Sequence, residues 1–301
     1  MNAAVVPILP AVEIKRILYA TDFSDASRAA LPVVGAIARH YGARIYAAHV
    51  WSPPIYPMLS PEVVSVMDRR QQKEVQEKLE KLLHAQVLAG TSGEAIVRRG
   101  APAEQLERAV REQNIGLVVA STHGVTGFRH RVLGSVAEEL VRSLSCPVLT
   151  VGPRLATRFE KIQRIENILF PTDFSEESLA VFPYLASLAH EYHSRLTVLH
   201  VLPRETAQNP EAKTLAEPLR KQMEKALYHQ ISPRCSVDFV IDSGDAAETI
   251  LAYASRGQAD LIGLGVRCAT DIAKHFRETI AYRVLAEAEC PVLTHHGASR
   301  W

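Results

Sequence analysis

The chain contains two copies of one sequence unit, and this repeat restricts its possible folds more than any other feature. Segments Ile14–Val50 and Ile165–Val201 align without a gap at an offset of 151 residues. Residues identical at that offset include Thr21, Asp22, Phe23, Ser24, Pro32, Tyr41, Arg44, His49 and Val50. Further on, Cys146–Thr150 aligns with Cys290–Thr294 at an offset of 144. A chain of 301 residues built this way predicts two domains of one fold.

Within each copy, short β-branched runs alternate with longer segments of helical period, which is typical of βαβ units and a parallel sheet. Strands are predicted near 15–20, 44–50, 95–99, 116–121 and 147–151, and near 167–170, 195–201, 236–241, 260–264 and 291–295. Helices are predicted near 25–41, 62–89, 102–113 and 134–144, and near 176–192, 214–230, 246–256 and 278–288. We therefore predict an α/β protein of two doubly wound sandwiches, each with a five-stranded parallel sheet. The domains are expected at 11–152 and 164–296.

The charge of the chain does not indicate a polyanionic partner. Lys and Arg number 34 against 33 Asp and Glu, so neither nucleic acid nor an anionic membrane is expected to bind. No window of the sequence approaches the about 18 consecutive apolar residues of a membrane span, and the apolar start lacks the basic region of a signal peptide. A soluble protein of the cytoplasm is therefore expected.

The four cysteines are too few for a disulfide scaffold. Cys146 and Cys290 each precede a proline at the start of an apolar run, and we predict that they are reduced core thiols. Cys235 and Cys268 lack the spacing of a zinc site. No metal site is expected from the cysteines.

The loop after the fourth strand of the first copy is the segment that best fits anion binding. Gly124, Gly127 and Gly134 would let backbone amides approach an anion, and Gly134-Ser135 opens a helix whose N-terminus favours negative charge. His123, Arg129 and Arg131 could add cationic contacts. Glycine-rich strand-to-helix turns are also frequent without a ligand, so this pattern alone leaves both interpretations open.

Two further motifs have a structural interpretation beside a functional one. Asp22 and Asp173 lie in Thr-Asp-Phe-Ser segments directly before helices, where the aspartate or the following serine can act as an N-cap. His49 and His200 close a buried strand, and a hydrogen-bonded histidine is the favoured interpretation over a ligand-binding one.

Taken together, these motifs resemble the universal stress protein family. The resemblance is carried by the Thr-Asp-Phe-Ser turns, the His-Val strand ends, the Gly-x-Pro-Ala-Glu segment, the Ser-Thr-His-Gly loop with Gly-Ser nine residues later, and Cys-Pro-Val-Leu at the last strands. It covers nearly all of both copies, as in a tandem member. It implies a five-stranded parallel α/β sandwich of the adenine nucleotide α-hydrolase-like type, and ATP, with Mg²⁺, as the ligand.

The resemblance also implies which residues would contact the nucleotide. Asp22 would contact adenine or ribose, Thr21 and Val50 would meet the base through main chain, and Ala120 would line the ribose side. The family phosphate pattern falls on Ser121, Gly124 and Gly134-Ser135, with serine in place of the first glycine. Gly124, Gly134, Ser135 and Val136 would hold the phosphates, and His123 lies in the same loop.

The second copy has lost this pattern and acts as an internal control. Ser121, Gly124, Gly127, Gly134 and Ser135 align with Gly265, Cys268, Asp271, Glu278 and Thr279. Two carboxylates there would repel a polyphosphate. We therefore expect the first copy to bind nucleotide and the second to have a degenerate phosphate loop.

Three functions remain open on this sequence. The leading hypothesis is an ATP-binding stress regulator that acts through a conformational or partner-binding change. The second is a slow ATPase or autophosphorylating enzyme, although no acid/base pair stands out near the loop. The third is a nucleotide-free dimeric scaffold, because the last strands are apolar sheet edges that invite pairing. Pairing of the two copies through these strands, and a homo-oligomer, are expected.

Overall fold

The computed structural model describes residues 12–52, 60–123, 132–152, 165–207, 210–227, 231, 235–267 and 276–297. The chain divides into two compact units, the first covering Glu13–Lys161 and the second containing Ile162–Trp301. Each unit holds one copy of the repeat.

The first repeat is a five-stranded parallel sheet with helices between its strands. Its strands are β1 (Arg16–Ala20), β2 (Arg44–Trp51), β3 (Ser92–Arg99), β4 (Leu117–Ser121) and β5 (Val148–Val151). Its helices are α1 (Asp25–Arg28), α2 (Leu31–Tyr41), α3 (Pro61–Leu83), α4 (Pro102–Glu112) and α5 (Ser135–Ser143), with a 3₁₀ turn at Gln86–Leu88. The strand order is β3-β2-β1-β4-β5, and the neighbouring strands pair in parallel.

The second repeat has the same arrangement. Its strands are β6 (Asn167–Pro171), β7 (Arg195–Leu202), β8 (Ser236–Ser243), β9 (Leu261–Gly265) and β10 (Val292–His295), in the order β8-β7-β6-β9-β10. Its helices are α6 (Glu176–Leu179), α7 (Phe182–Tyr192), α8 (Arg204–Ala207), α9 (Pro210–Leu227), α10 (Ala246–Arg256) and α11 (Ile280–Glu287), with a 3₁₀ turn at Phe276–Glu278. The neighbouring strands again pair in parallel.

The central strands are continuous apolar segments in the sequence because they are buried on both faces of the sheet. Ile17, Leu18 and Tyr19 of β1 are fully buried, and Val118 and Val119 of β4 are as well. A strand buried on both faces needs apolar residues at successive positions rather than alternate ones. The predicted α/β class and the five-stranded parallel sheet of each repeat are confirmed.

The single helix predicted over 25–41 is wrong, because the structure has two helices there. Helix α1 ends at Arg28, four residues before Pro32, and α6 likewise ends at Leu179, four residues before Pro183. A proline has no N–H to donate to the carbonyl four residues back, and its ring clashes with that carbonyl. The same break therefore divides the predicted helix 176–192.

The strand order places one edge of each sheet in a position suited to ligands. The chain leaves β1 toward β2 on one side, and β4 lies on the other side of β1. Ligands of open α/β sheets bind beyond the carboxyl ends of the strands at such a switch point. In the described part of the chain, no helix is both long enough and apolar enough to cross a membrane.

The two repeats differ in how closely a helix approaches the fourth strand. A Cβ atom placed on Gly265, at the end of β9, would lie 1.9 Å from the Glu177 carbonyl oxygen and 2.4 Å from the Ser178 Cα. Helix α6 therefore rests directly on the backbone of Gly265. The aligned residue at the end of β4 is Ser121, which has a side chain.

We predict that Gly265→Ala lowers the free energy of unfolding of the second repeat by about 1–3 kcal/mol, because backbone atoms on α6 must move to admit the methyl group. Chemical denaturation measures the change. Gly116→Ala is the matched control, since its Cβ would lie 3.7 Å from the nearest atom, the Arg16 carbonyl oxygen. Equal losses in the two variants would contradict the packing described for α6.

Candidate functional site

A cavity of about 230 Å³ lies in the first repeat beyond the carboxyl ends of β1, β2 and β4. Nine residues predicted from the sequence line it, namely Thr21, Asp22, Val50, Ala120, Ser121, His123, Gly134, Ser135 and Val136. Gly124, the tenth, lies outside the described residues, as do Gly127, Arg129 and Arg131. The described residues of the prediction thus surround one hollow.

Five further residues line the cavity although no sequence motif indicates them as cavity residues, namely Ala20, Ala48, Pro102, Leu106 and Ala137. Ala20, Ala48 and Ala120 lie near the ends of three neighbouring strands and leave space there because their side chains are single methyl groups. The aligned residues of the second repeat are the larger Pro171, Leu199 and Leu264, and all three are buried. Comparing the two copies at these positions would have identified the alanines from the sequence.

The turn between β1 and α1 is held by hydrogen bonds of its own side chains. The Asp22 Oδ1 accepts from the Ser24 N–H at 3.0 Å and from the Ser24 hydroxyl at 2.6 Å. The Ser24 Oγ in turn accepts from the Ser27 N–H at 3.1 Å, so Ser24 is the N-cap of α1. Thr21 Oγ1 accepts from the N–H of Phe23, whose φ is +61°. These bonds hold Phe23 in the left-handed backbone conformation, which residues other than glycine rarely adopt.

The same turn is present in the second repeat with nearly the same distances. Asp173 Oδ1 accepts from the Ser175 N–H at 3.0 Å and its hydroxyl at 2.6 Å, and Phe174 has a φ of +62°. Burial raises the pKa of Asp173, but hydrogen bonds from Ser175 and Ser178 outweigh this effect and the pKa is lowered. The prediction that the Thr-Asp-Phe-Ser motif forms a turn and a helix cap is confirmed in both copies.

His49 and His200 each support that turn from the neighbouring strand. The His49 Nδ1–H donates to the Thr21 carbonyl at 2.7 Å, and the His200 Nδ1–H donates to the Thr172 carbonyl at 2.8 Å. Burial lowers the pKa of His49 below its ordinary value of 6.5, against the opposing effects of the Thr21 hydrogen bond and of Asp22. The prediction of hydrogen-bonded histidines is confirmed.

The other wall of the cavity is the first turn of α5. Gly134 is the N-cap of this helix, and it provides no side-chain hydrogen bond. Its N–H donates to the Thr122 carbonyl at 2.7 Å, and its carbonyl accepts from the Glu138 N–H at 2.9 Å. The N–H groups of Ser135, Val136 and Ala137 have no acceptor within the helix, as in every helical first turn. These three residues line the cavity.

The corresponding helix of the second repeat begins differently. Helix α11 has Thr279 as its N-cap, and the Thr279 Oγ1 accepts from the Tyr282 N–H at 3.1 Å. The N-cap has therefore moved by one position in the alignment, since Thr279 aligns with Ser135 rather than with Gly134. A side chain satisfies part of the α11 first turn, and this was not expected from the sequence.

The two described loop side chains of the cavity are engaged in local hydrogen bonds. His123 is buried, and its Nδ1 lies 2.8 Å from the Thr122 Oγ1. The Ser121 hydroxyl donates to the His123 carbonyl at 2.6 Å. These contacts hold the start of the loop against the end of β4.

The two thiols predicted to be reduced are not among the described residues that line this cavity. Cys290 is buried and Cys146 is half-buried. Burial raises the pKa of Cys146 to about 12, so its thiol carries its proton at neutral pH. This agrees with an unreactive core thiol.

Comparison with known proteins identifies the family to which both repeats are similar. The model of the universal stress protein family matches residues 13–152 and 164–296. A universal stress protein from Methanocaldococcus jannaschii is 30% identical over 141 residues, which are 46% of this chain and 81% of that protein. One from Thermus aquaticus is 31% identical over 138 residues, 46% of this chain and 98% of that protein.

Among solved structures, a universal stress protein from Archaeoglobus fulgidus covers 94% of this chain and 99% of its own, with a TM-score of 0.68 and 20% sequence identity. At this identity the likeness shows the fold. The match spans both repeats, in agreement with a tandem arrangement of two domains of this family.

We predict that the wild-type chain loses more thermal stability between about pH 7.5 and pH 5.5 than His49→Gln does. Because the pKa of His49 is lowered in the folded state, the unfolded chain binds the proton first as the pH falls below 6.5. The stability that depends on neutral His49 is therefore present above that pH and lost below it. Thermal melts of both proteins at the two pH values measure the difference. Equal losses in both would show that His49 titrates as it does in the unfolded chain.

Proposed function

The chain belongs to the universal stress protein family, as a member with two copies of the domain, and we propose that its first repeat binds ATP and that binding regulates a stress response. The observation that carries the proposal is a single cavity that extends from three alanines at the strand ends to the first turn of α5. ATP binding would then change the conformation of the chain or its binding to a partner.

The strand ends would receive the adenosine part of the nucleotide. Ala20, Ala48 and Ala120 leave room for a flat ring, and Thr21 and Val50, which line the same cavity, would meet the base through main chain. Asp22 would contact the base or ribose. A cavity of about 230 Å³ is smaller than the roughly 300–1,000 Å³ of drug-sized ligand pockets. The described residues would therefore enclose only part of the nucleotide.

The first turn of α5 would hold the phosphates. Gly134 has no side chain to compete for the N–H groups of the turn, and Ser135 and Val136 line the cavity beside it. An anion at a helix N-terminus gains about 0.3–1 kcal/mol per charge at an exposed site. Gly124 belongs to the proposal through its sequence position alone. Ser121 and His123 would border the phosphates from the end of β4.

Mg²⁺ would be bound mainly by the phosphates of ATP rather than by side chains of the protein. Asp22 is the only carboxylate among the described residues that line the cavity, and its Oδ1 already accepts two hydrogen bonds from Ser24. Mg²⁺ keeps several waters and commonly binds substrate phosphates with one or two carboxylates. The ligand set here fits a metal held mainly by ATP.

We propose that the second repeat does not bind ATP in this manner. Leu199 and Leu264 replace the alanines of the strand ends, where the base would lie in the first repeat. The N-cap of α11 is Thr279, whose side chain accepts a hydrogen bond from the first turn, whereas the N-cap of α5 is glycine. The aligned position of Gly134 is Glu278, whose negative charge would oppose phosphate. Pairing of the repeats through their last strands, a homo-oligomer and a cytoplasmic location stay predictions.

We predict that the wild-type chain binds one ATP and that Gly134→Glu weakens binding at least about tenfold. The substitution copies the aligned residue of the second repeat and puts a carboxylate at the α5 N-terminus, while the φ of −63° at Gly134 is one that L-residues readily adopt. Ala120→Leu should also weaken binding, because its side chain would occupy the base end. Isothermal titration with ATP measures stoichiometry and affinity.

Thr279→Ala is the control for these variants, because it changes a helix N-cap in the second repeat and should leave ATP affinity unchanged. Thermal melts establish that each variant is folded. Two ATP molecules bound per wild-type chain, or wild-type affinity in Gly134→Glu, would contradict the proposal.

We further predict that the purified chain releases phosphate from ATP far more slowly than the about 1–1,000 per second typical of enzymes. Asp22 and His123 are the titratable side chains among the described cavity residues, and both form hydrogen bonds within their own loops. A phosphate-release assay with saturating ATP and Mg²⁺ measures turnover. Rapid turnover that Gly134→Glu abolishes would establish the chain as an ATPase instead.

A further inference from the structure

A second and larger cavity, of about 520 Å³, lies in the first repeat between α3 and the ends of β2 and β3. It shares no lining residue with the candidate nucleotide site. Helices α4 and α5 border the first cavity, whereas α3 borders the second. Val50 lines the first cavity and the next residue, Trp51, lines the second.

Trp51 and Arg99 form the floor of this cavity. They are partners in the register of β2 and β3, so their side chains project from neighbouring strands on the same face. The guanidinium carbon of Arg99 lies 5.9 Å from the centre of the Trp51 ring, within the range of a cation–π contact. The Arg99 guanidinium also forms an ion pair of 2.9 Å with Asp68 on α3, and 56% of its side chain is exposed. Its charge therefore remains accessible to a ligand.

The remaining walls combine apolar surface with an excess of positive charge. Val64 of α3 and Val97 of β3 provide the apolar walls. Asp68 neutralises Arg99, whereas Arg69 forms no ion pair with any residue in the described ranges. One guanidinium at the cavity thus lacks a carboxylate partner among these residues. An anion with an apolar part would match both features.

The second repeat indicates that the fold does not require these residues. The turn and histidine that hold the end of the first strand are the same in both copies. Trp51, by contrast, aligns with Leu202, and Arg98-Arg99 aligns with Asp242-Ser243. The aromatic ring and the positive charge are therefore particular to the first repeat, although the strands that carry them are common to both.

We propose that this cavity binds an organic anion with a flat aromatic part. The aromatic ring would lie against Trp51 between Val64 and Val97, and the anionic group would pair with the Arg99 guanidinium, with Arg69 adding attraction. A carboxylate, sulfonate or phosphate group meets a guanidinium with two parallel hydrogen bonds. The volume of about 520 Å³ falls within the range of small-molecule pockets.

The probe for the test is 1-anilinonaphthalene-8-sulfonate, an aromatic anion that accepts excitation energy from tryptophan. The chain has two tryptophans, Trp51 and Trp301, so the Trp301→Phe chain leaves Trp51 as the single donor. We expect saturable energy transfer from Trp51 with one probe per chain. The neutral analogue N-phenyl-1-naphthylamine, which lacks the sulfonate, should bind at least about tenfold more weakly, because it cannot pair with Arg99.

Variants in the same Trp301→Phe chain assign the anionic contact. Arg99→Ser, which copies the second repeat, should weaken probe binding about tenfold or more. Asp68→Asn should strengthen it several-fold, because it releases Arg99 from its carboxylate without removing a cavity wall. Arg111→Ser, which removes an exposed arginine on α4, is the control and should bind as the parent does. Equal binding of the neutral analogue, no energy transfer from Trp51, or unchanged affinity in both Arg99→Ser and Asp68→Asn would overturn the proposal.

Discussion

The glycine at the N-cap of α5 is the feature on which the proposed function depends. A helix begins with N–H groups that have no acceptor within the helix, and a side chain at the N-cap ordinarily satisfies one of them. Gly134 provides no such side chain, whereas Thr279 does so for α11, the corresponding helix of the second repeat. The first turn of α5 is thereby left for a ligand or solvent. Because it lines the same cavity as three alanines, it places an anion-binding turn beside a space that suits a flat ring.

Comparison of the two repeats distinguishes the residues that the fold requires from those that a ligand would require. Both copies have the Asp-to-Ser hydrogen bonds, the left-handed phenylalanine and the histidine that donates to the turn. The alanines, the glycine N-cap and the Trp51–Arg99 pair occur in the first copy only. The second copy instead has leucines, a threonine N-cap and a helix resting on Gly265. The same strand order and the same first turn therefore carry different side chains in the two copies.

Most of the fold could be predicted from the sequence, because buried parallel strands and amphipathic helices have different periods. The predicted helix 25–41 was wrong because its apolar period continues across Pro32, whereas α1 ends at Arg28 and a new helix begins at Leu31 with Pro32 in its first turn. Of the candidate site, the turn residues and Gly134-Ser135 could be identified from motifs. Ala20 and Ala48 belong to no motif, since a small residue in an apolar strand has no pattern of its own, and only their comparison with Pro171 and Leu199 of the second copy indicates them. The cavity beside Trp51 also has no motif, because the register of β2 and β3 and the position of α3 create it.

We expect the first repeat to bind a nucleotide and the second repeat to bind none. A crystal structure of the chain grown with ATP and Mg²⁺ tests this most directly. We expect electron density for one nucleotide per chain, with its phosphates at the first turn of α5 and its base near Ala48 and Ala120. Density for a nucleotide at the N-terminus of α11, with the cavity of the first repeat empty, would contradict the claim.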